Sequence, residues 1–254
     1  MSNFPELVVL SAVMGLSIYL SLPIVLAKSV ASRTIIVLNA VAIGILIFLL
    51  ADVFSDAATI IYTNPASPYL ASWTYAVAFV VASAGCFLVL LHSEHHSGAR
   101  HLSPRRLALI VALAIGFQNL TEGLVFGATW ALGAIGLLTV IFVGFFLQNV
   151  TEGFPIAAPF LGKNERSVGT LALLFLVGGL PTILGGVFGY FYNNDLLDVT
   201  FDALAIGAIL YCILPMLRSA FRPADTPEAS YLKQRLTYAG VLAGFVLGFL
   251  VNAL

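Results

Sequence analysis

The sequence has very little charge for its length. Of its 254 residues, 11 are Lys or Arg and 12 are Asp or Glu, so charged residues make up only 9% of the chain. Soluble domains carry about 25% charged residues, and this scarcity excludes a soluble enzyme and a disordered chain. The net charge of −1 comes with no basic stripe, so we expect no nucleic-acid partner.

Cysteine is also scarce. Cys86 and Cys212 are the two cysteines, and both lie in apolar runs, where a free cysteine usually acts as a packing residue. A secreted disulfide scaffold is thereby excluded. The sequence contains no HExxH, CxxC, GxSxG or Walker A motif, so we expect neither enzyme activity nor a cofactor. No basic segment precedes the first apolar run, which we expect to remain in the mature protein.

Apolar residues are abundant instead, at 60% of the chain with a mean hydropathy of +1.03. Apolar runs of about 20 residues recur along the sequence, which is typical of a polytopic α-helical membrane protein and unlike the shorter strands of a barrel. The sequence therefore predicts one all-α transmembrane domain over residues 1–254. Its eight predicted spans cover residues 5–27, 34–61, 71–92, 105–129, 132–159, 167–192, 197–218 and 232–254.

The distribution of basic residues supports this count of spans. All 11 Lys and Arg residues fall in the odd-numbered loops or in the ends of the spans that border those loops. Cytoplasmic loops carry the excess of Lys and Arg. We therefore expect both termini to be extracytoplasmic, in an integral protein of the plasma membrane whose surroundings are the lipid bilayer.

The candidate metal-binding residues of the sequence lie in an internal near-repeat. The fourth span contains QNLTEG at residues 118–123, and the fifth contains QNVTEG at residues 148–153. Both copies lie near the middle of their spans, and residues three or four positions apart share a helix face. Each helix therefore offers one carboxylate and two amides to one side. The six candidate metal ligands are Gln118, Asn119, Glu122, Gln148, Asn149 and Glu152.

Two glutamates in the middle of a membrane need a physical reason, since each costs at least about 2.5 kcal/mol there. Adjacent carboxylates repel each other unless they are protonated or bridged by a cation. Carboxylate and amide oxygens suit hard or borderline divalent cations. The alternative is a set of interhelical hydrogen bonds around protonated glutamates, which would explain one copy better than two copies at the same depth.

Two further groups of residues could accompany such a site. Asp52 and Asp56 near the end of the second span, and Asp198 and Asp202 at the start of the seventh, predict a negatively charged entrance that concentrates cations. The alternative is a set of solvated helix ends, and the greater depth of Asp52 and Asp56 favours function for that pair.

The four histidines lie close together in the sequence. We expect residues 93–104 to form a cytoplasmic loop where imidazoles receive or sense the metal, or else a plain polar loop. The four are His92, His95, His96 and His101.

The motif pair resembles that of the ZIP (Zrt-/Irt-like protein) family of metal-ion transporters, which carry a His-Asn-x-Pro-Glu-Gly type sequence in the fourth helix and a related one in the fifth. The resemblance implies an eight-helix bundle and a homodimer that moves divalent transition metals into the cytoplasm by alternating access. It also implies that helices 1, 4, 5 and 6 move against helices 2, 3, 7 and 8. By that match Gln118, Glu122, Gln148 and Glu152 form one site, and Asn119 and Asn149 contribute to an adjacent one.

The sequence departs from the family pattern at several positions. Gln118 stands where the family usually has histidine, and Thr121 and Thr151 stand where proline is common. Zinc prefers nitrogen and sulfur ligands. Zinc is the first expected substrate, with iron, manganese, cadmium and cobalt beside it. A metal-responsive membrane sensor and an intramembrane metalloenzyme are the alternative functions.

Overall fold

A computed structural model of the protein describes residues 3–26, 32–63, 70–96, 103–133, 135–161, 167–192 and 194–253. The ordered elements in these ranges are all helices. They are α1 (Phe4–Leu16, continued by Ser17–Ser21 and Leu22–Val25), α2 (Ser32–Thr63), α3 (Leu70–His96), α4 (Pro104–Leu132), α5 (Ile135–Ala157, continued by Ala158–Phe160), α6 (Val168–Phe191), α7 (Asp195–Ala220) and α8 (Pro227–Asn252).

Eight segments within these ranges are long and apolar enough to cross a membrane. The all-helical fold and the count of eight candidate spans are therefore confirmed. The boundary between the fourth and fifth spans has a structural cause. Gly133 ends α4 with a φ of 70°, in the left-handed region that glycine adopts without steric cost.

The last helix begins at Pro227, five residues before the predicted start at residue 232. The Thr226 hydroxyl oxygen accepts a hydrogen bond of 3.2 Å from the backbone N–H of Ala229. Proline is well suited to the first position of a helix because its missing N–H has no helical partner there. Capping chemistry therefore starts α8 in polar sequence, ahead of its apolar run.

The predicted loop over residues 93–104 is wrong at both ends. Helix α3 continues to His96, and α4 begins at Pro104 with the Ser103 side chain as its cap. Residues 93–96 are polar but contain no helix breaker, so the helix continues beyond its apolar part. His92, His95 and His96 thus belong to α3, while His101 lies outside the described residues.

The helices pack as two bundles. In the first, α4 packs along α6, and α1 packs against both α5 and α6; we call α1, α4, α5 and α6 the site bundle. In the second, α2 packs along α8 and α7, and α3 packs along α7; we call these four helices the flanking bundle. Contact between the bundles is made by α4 with α7 and, less extensively, by α5 with α2 and α8.

Glycines set the closest helix approaches. A Cβ atom placed on Gly123 of α4 would lie 2.8 Å from the backbone N of Gly186 in α6, and one on Gly44 of α2 would lie 2.7 Å from the backbone N of Phe245 in α8. At the described glycines, such backbone approaches occur within one bundle or the other and not between the two. Small residues permit close helix packing in membranes, so each bundle is more tightly joined internally than to its neighbour.

The two ends of the molecule carry opposite charge. At one end, which we call the acidic end, the ring of Phe4 at the start of α1 packs at a tilt against the ring of Tyr190 near the end of α6, with ring centroids 5.3 Å apart. The last turn of α8 lies there too, because the Asn252 side chain donates a hydrogen bond of 2.6 Å to Asp52. The described Lys and Arg residues lie at the opposite, basic end, near the starts of α2, α4 and α8 and the end of α7.

Candidate metal centre

The structure brings the six candidate ligands together between α4 and α5. All six side chains are buried: Gln118, Asn119, Glu122, Gln148, Asn149 and Glu152. They converge because both copies of the motif repeat the same i, i+1, i+4 pattern in the middle of a helix, and the two helices pack against each other. The result is a polar cluster that contains two carboxylates within an apolar bundle.

Glu122 is held by the two glutamines. Gln118, one turn earlier on the same helix, donates from Nε2 to Glu122 Oε1 at 3.1 Å. Gln148 donates from its own Nε2 across the helix interface to the same oxygen at 2.8 Å. One carboxylate oxygen therefore receives both amide donors, one from each copy of the repeat.

Glu152 is held by an asparagine of the other helix. Asn119 donates from Nδ2 to Glu152 Oε2 at 3.0 Å and to Asn149 Oδ1 at 2.9 Å. The same nitrogen lies 2.9 Å from the backbone oxygen of Gly178 in α6. Asn149 in turn donates to the backbone oxygen of Phe145 in its own helix. Asn119 thus links three helices of the site bundle.

This grouping differs from the one that the family resemblance implies. The resemblance places both glutamates and both glutamines in one site and the asparagines beside it. In the structure, Glu122 pairs with Gln118 and Gln148, while Glu152 pairs chiefly with Asn119. Gln148 also lies beside Glu152, so the two halves form one continuous cluster.

The most informative feature of the cluster is its set of unused oxygens. Five buried acceptor atoms have no hydrogen-bond partner among the described residues: Gln118 Oε1, Asn119 Oδ1, Glu122 Oε2, Gln148 Oε1 and Glu152 Oε1. A buried polar atom without a partner costs about 1–3 kcal/mol. The amide nitrogens are directed at the carboxylates and neighbouring carbonyls. The oxygens that remain are therefore placed to coordinate a cation.

The donor set contains oxygen only. Among the described residues, no group of three or more His, Cys, Asp or Glu side chains is placed to hold a metal ion. The site instead offers two carboxylates supplemented by neutral amide oxygens. Such a set suits hard or borderline divalent ions, and it lacks the nitrogen and sulfur ligands that zinc prefers.

The two motif glycines bring each helix close to a third helix. A Cβ on Gly123 would lie 2.9 Å from the Cα of Gly185 in α6. A Cβ on Gly153 would lie 2.9 Å from the backbone oxygen of Ile18 in α1. The glycines thus anchor the two motif helices to α6 and α1, which fixes the faces that carry the glutamates.

Four aspartates lie towards the acidic end, and they differ in their exposure to solvent. Asp56 is exposed and Asp52 half-buried, whereas Asp198 and Asp202 are 6% and 2% exposed. The latter pair lies one turn apart on a face of α7 that is covered by neighbouring helices. The alternative interpretation as solvated helix ends does not hold for Asp198 and Asp202, because both side chains are buried.

The aspartates are electrostatically connected to the site. Glu122 interacts through charge with Glu152 and also with Asp52 and Asp56 of α2. Asp202 interacts with Asp52, Asp56 and Asp198, and its carboxyl lies beside the Thr121 side chain. One oxygen each of Asp198 and Asp202 is buried without a partner among the described residues. A series of carboxylates thus leads from the acidic end to Glu122.

Thr121 is the residue that sequence reasoning missed. In the sequence it was notable only as a departure from proline. In the structure it contacts Asp202 of the flanking bundle, and it belongs to the site bundle through α4. Its position between the candidate ligands Asn119 and Glu122 was the only signal that could have identified it.

The histidines are not brought to the centre by any described contact. His92 is exposed near the end of α3, and α3 packs chiefly on α7. His95 and His96 lie in the last turn of α3, and His101 lies outside the described residues. Their proposed metal-receiving role stays a prediction.

No family model matches the chain, and no curated protein matches it. The membrane fold and the site geometry described above are therefore the basis for a functional proposal.

Proposed function

We propose that this protein is a secondary transporter of divalent transition-metal ions, of the ZIP type. The observation that carries the proposal is the set of five unpartnered oxygens around two adjacent buried carboxylates. A bound divalent cation would offset the repulsion between Glu122 and Glu152 and would satisfy the amide oxygens. If the glutamates served only as hydrogen-bonded structural residues, those oxygens would stay buried without a partner.

The proposed direction follows from the charge asymmetry. Under the positive-inside rule the basic end faces the cytoplasm, so the acidic end and both termini face outward from a plasma membrane. Ions collect at Asp52 and Asp56, pass Asp198 and Asp202, and reach Glu122. Carboxylates that follow one another attract a cation inward without a single deep trap.

The proposed mechanism is alternating access by movement of the site bundle against the flanking bundle. Support comes from the packing: close glycine contacts join the helices inside each bundle, and at the described glycines none joins the two bundles. The polar contact of Thr121 with Asp202 lies at the interface between them. The sequence has no Walker A motif, so the proposed driving force is an ion gradient.

The proposed substrate is a divalent ion that accepts oxygen ligands. Manganese and iron(II) suit carboxylate and amide oxygens, and zinc, cadmium and cobalt complete the expected range. The resemblance to ZIP proteins implies zinc as the usual substrate, whereas the all-oxygen set of candidate ligands here favours the harder ions. The assembly proposed by the same resemblance is a homodimer.

Uptake into proteoliposomes tests the proposal. Manganese, iron(II), zinc, cadmium, cobalt and magnesium would be compared in wild type, in the double variant Glu122→Gln/Glu152→Gln, and in Glu228→Gln as a control. Glu228 is an exposed carboxylate in the first turn of α8, far in sequence from the motif. We expect saturable uptake of at least one ion, lost in the double variant and kept in the control. No flux above empty liposomes from folded, inserted protein would overturn the proposal.

A further inference from the structure

A second site is suggested by a cavity of about 860 Å³ at the basic end. One wall comes from the start of α4 and the end of α5, in the site bundle. The other comes from α2, the end of α7 and the start of α8, in the flanking bundle. The six candidate metal ligands are not among the residues that line it. The cavity is therefore separate from the metal centre and lies where the two bundles meet.

The charge of the cavity wall is positive. Arg218, Arg222 and Lys233 line it, and no carboxylate is among the described residues that line it. Lys233 Nζ donates to the backbone oxygens of Ser219 at 3.2 Å and Arg222 at 2.8 Å. These bonds hold the chain after α7 against α8 and keep the three cationic side chains on one wall. Such a wall repels a divalent metal ion and attracts an anion.

A buried hydroxyl adds an independent sign of a ligand. Thr237 lies one helical turn after Lys233 on α8 and also lines the cavity. Its side chain is 1% exposed, and its Oγ1 has no hydrogen-bond partner among the described residues. Since a buried hydroxyl without a partner is costly, a ligand oxygen within the cavity would remove that cost. Asn39 of α2 offers an amide on the same surface.

The rest of the cavity is apolar. Ile36 and Ile43 of α2, Leu107 of α4 and Met216 of α7 line it beside the basic residues. A small, fully hydrated anion would gain nothing from these side chains. An amphiphile with an anionic head and a hydrocarbon chain would contact both parts.

We propose that this cavity binds an acidic phospholipid. The headgroup phosphate lies among Arg218, Arg222 and Lys233, and the upper acyl chain lies against the apolar wall. The basic end is the end at which the positive-inside rule places the anionic cytoplasmic leaflet. A lipid held there touches both bundles and so stabilises their present arrangement.

Lipid retention by the purified full-length protein tests this inference. Native mass spectrometry would measure bound phosphatidylglycerol and bound phosphatidylcholine for wild type, for the double variant Arg218→Gln/Arg222→Gln and for the control Arg235→Gln. Arg235 lies on α8 with its guanidinium 5.7 Å from the ring centre of Tyr231, and it is not among the residues lining the cavity. Thr237→Val, which removes only the hydroxyl, is the second cavity variant.

We expect wild type to retain the acidic lipid over the neutral lipid by about tenfold or more. The double variant should lose that preference, Thr237→Val should weaken it, and Arg235→Gln should keep it. Equal retention of both lipids by wild type, or an equal loss in Arg235→Gln, would overturn the proposal. So would displacement of the lipid by excess inorganic phosphate, since free phosphate would then be the ligand. Retention is measured without metal, so its failure and the failure of the transport proposal are distinguishable.

Discussion

The two copies of the QNxTEG motif have nearly the same sequence and different surroundings. In the α4 copy, Asn119 donates to groups on α5 and α6, and Gly123 lies against α6. In the α5 copy, Asn149 donates to its own backbone, and Gly153 lies against α1. The repeat therefore supplies the same candidate ligands from each helix without a symmetric cluster, because each helix has different neighbours.

The difference separates two roles within one motif. The glutamates and the glutamine amide oxygens are alike in both copies, since each has an oxygen without a hydrogen-bond partner among the described residues, and they carry the proposed metal chemistry. The asparagine nitrogens and the glycines differ, and they determine how the helices are held together. Variants at equivalent positions in the two copies should therefore have similar effects on metal transport and different effects on stability.

The largest expected effect is on transport, and here the copies should agree. Glu122→Gln and Glu152→Gln each remove one of the two carboxylates while keeping a similar shape. We expect each single variant to reduce the initial rate of metal uptake by about tenfold or more, since a loss of about 1.4 kcal/mol in metal affinity alone weakens binding tenfold. Initial uptake rates in proteoliposomes at equal protein incorporation measure this. Full uptake by either single variant would show that its carboxylate is not a ligand.

The second effect is on stability, and here the copies should differ. Asn119→Ala removes a side chain that donates to groups on two other helices, whereas Asn149→Ala removes a donor to its own helix and only one of the acceptors of Asn119. Interhelical hydrogen bonds in membranes contribute roughly 0.6 kcal/mol each on average, so Asn119→Ala should destabilise the protein by about 2 kcal/mol more than Asn149→Ala once the unpaired Glu152 oxygen is included. Unfolding in mixed detergent micelles measures the difference. Equal destabilisation would contradict the assignment of Asn119 as the link.

The two copies of the motif also show which features of the site the sequence could predict. The i, i+4 spacing and the equal depth of the two copies predicted that Gln118, Glu122, Gln148 and Glu152 would converge, and the structure brings them together. The pairing of Glu152 with Asn119 depends on how α4 and α5 are rotated about their axes, which no spacing within one helix determines. The burial of Asp202 depends likewise on the packing of α7 against its neighbours.

The third effect concerns the glycines. A methyl group on Gly123 meets backbone atoms of α6, which cannot move independently, whereas one on Gly153 meets the movable Ser21 side chain as well as the Ile18 carbonyl. We expect Gly123→Ala to lower stability by about 1–3 kcal/mol, with a smaller loss for Gly153→Ala. The same unfolding assay compares them. A larger loss at Gly153 would place the tighter interface at α1.

The fourth effect is on ion selectivity, and the variant changes only the α4 copy of the motif. Gln118→His replaces an amide oxygen with an imidazole beside Glu122. We expect the ratio of zinc to manganese uptake to rise severalfold, since zinc prefers nitrogen ligands more strongly than manganese does. Competition between the two ions in one uptake assay measures the ratio. An unchanged ratio would indicate that the Gln118 side chain does not reach the ion.

The smallest effect is expected at the acidic end, outside both copies. Asp56 is exposed and interacts with Glu122 only through charge. Asp56→Asn should raise the apparent KM for the metal about twofold at low ionic strength, and the difference should shrink as salt screens the charge. Uptake measured across a salt series tests this. A loss of maximal rate instead of affinity would give Asp56 a direct role in the transport step.

Direct metal binding by the purified protein is the most immediate test of the central claim. Equilibrium dialysis with manganese would compare wild type, Glu122→Gln/Glu152→Gln and Glu228→Gln in detergent. The account predicts at least one tightly bound ion per chain in wild type and in the control, and its loss in the double variant. Equal binding by all three proteins, or no binding by folded wild type to manganese, iron(II) or zinc, would contradict a metal site between α4 and α5.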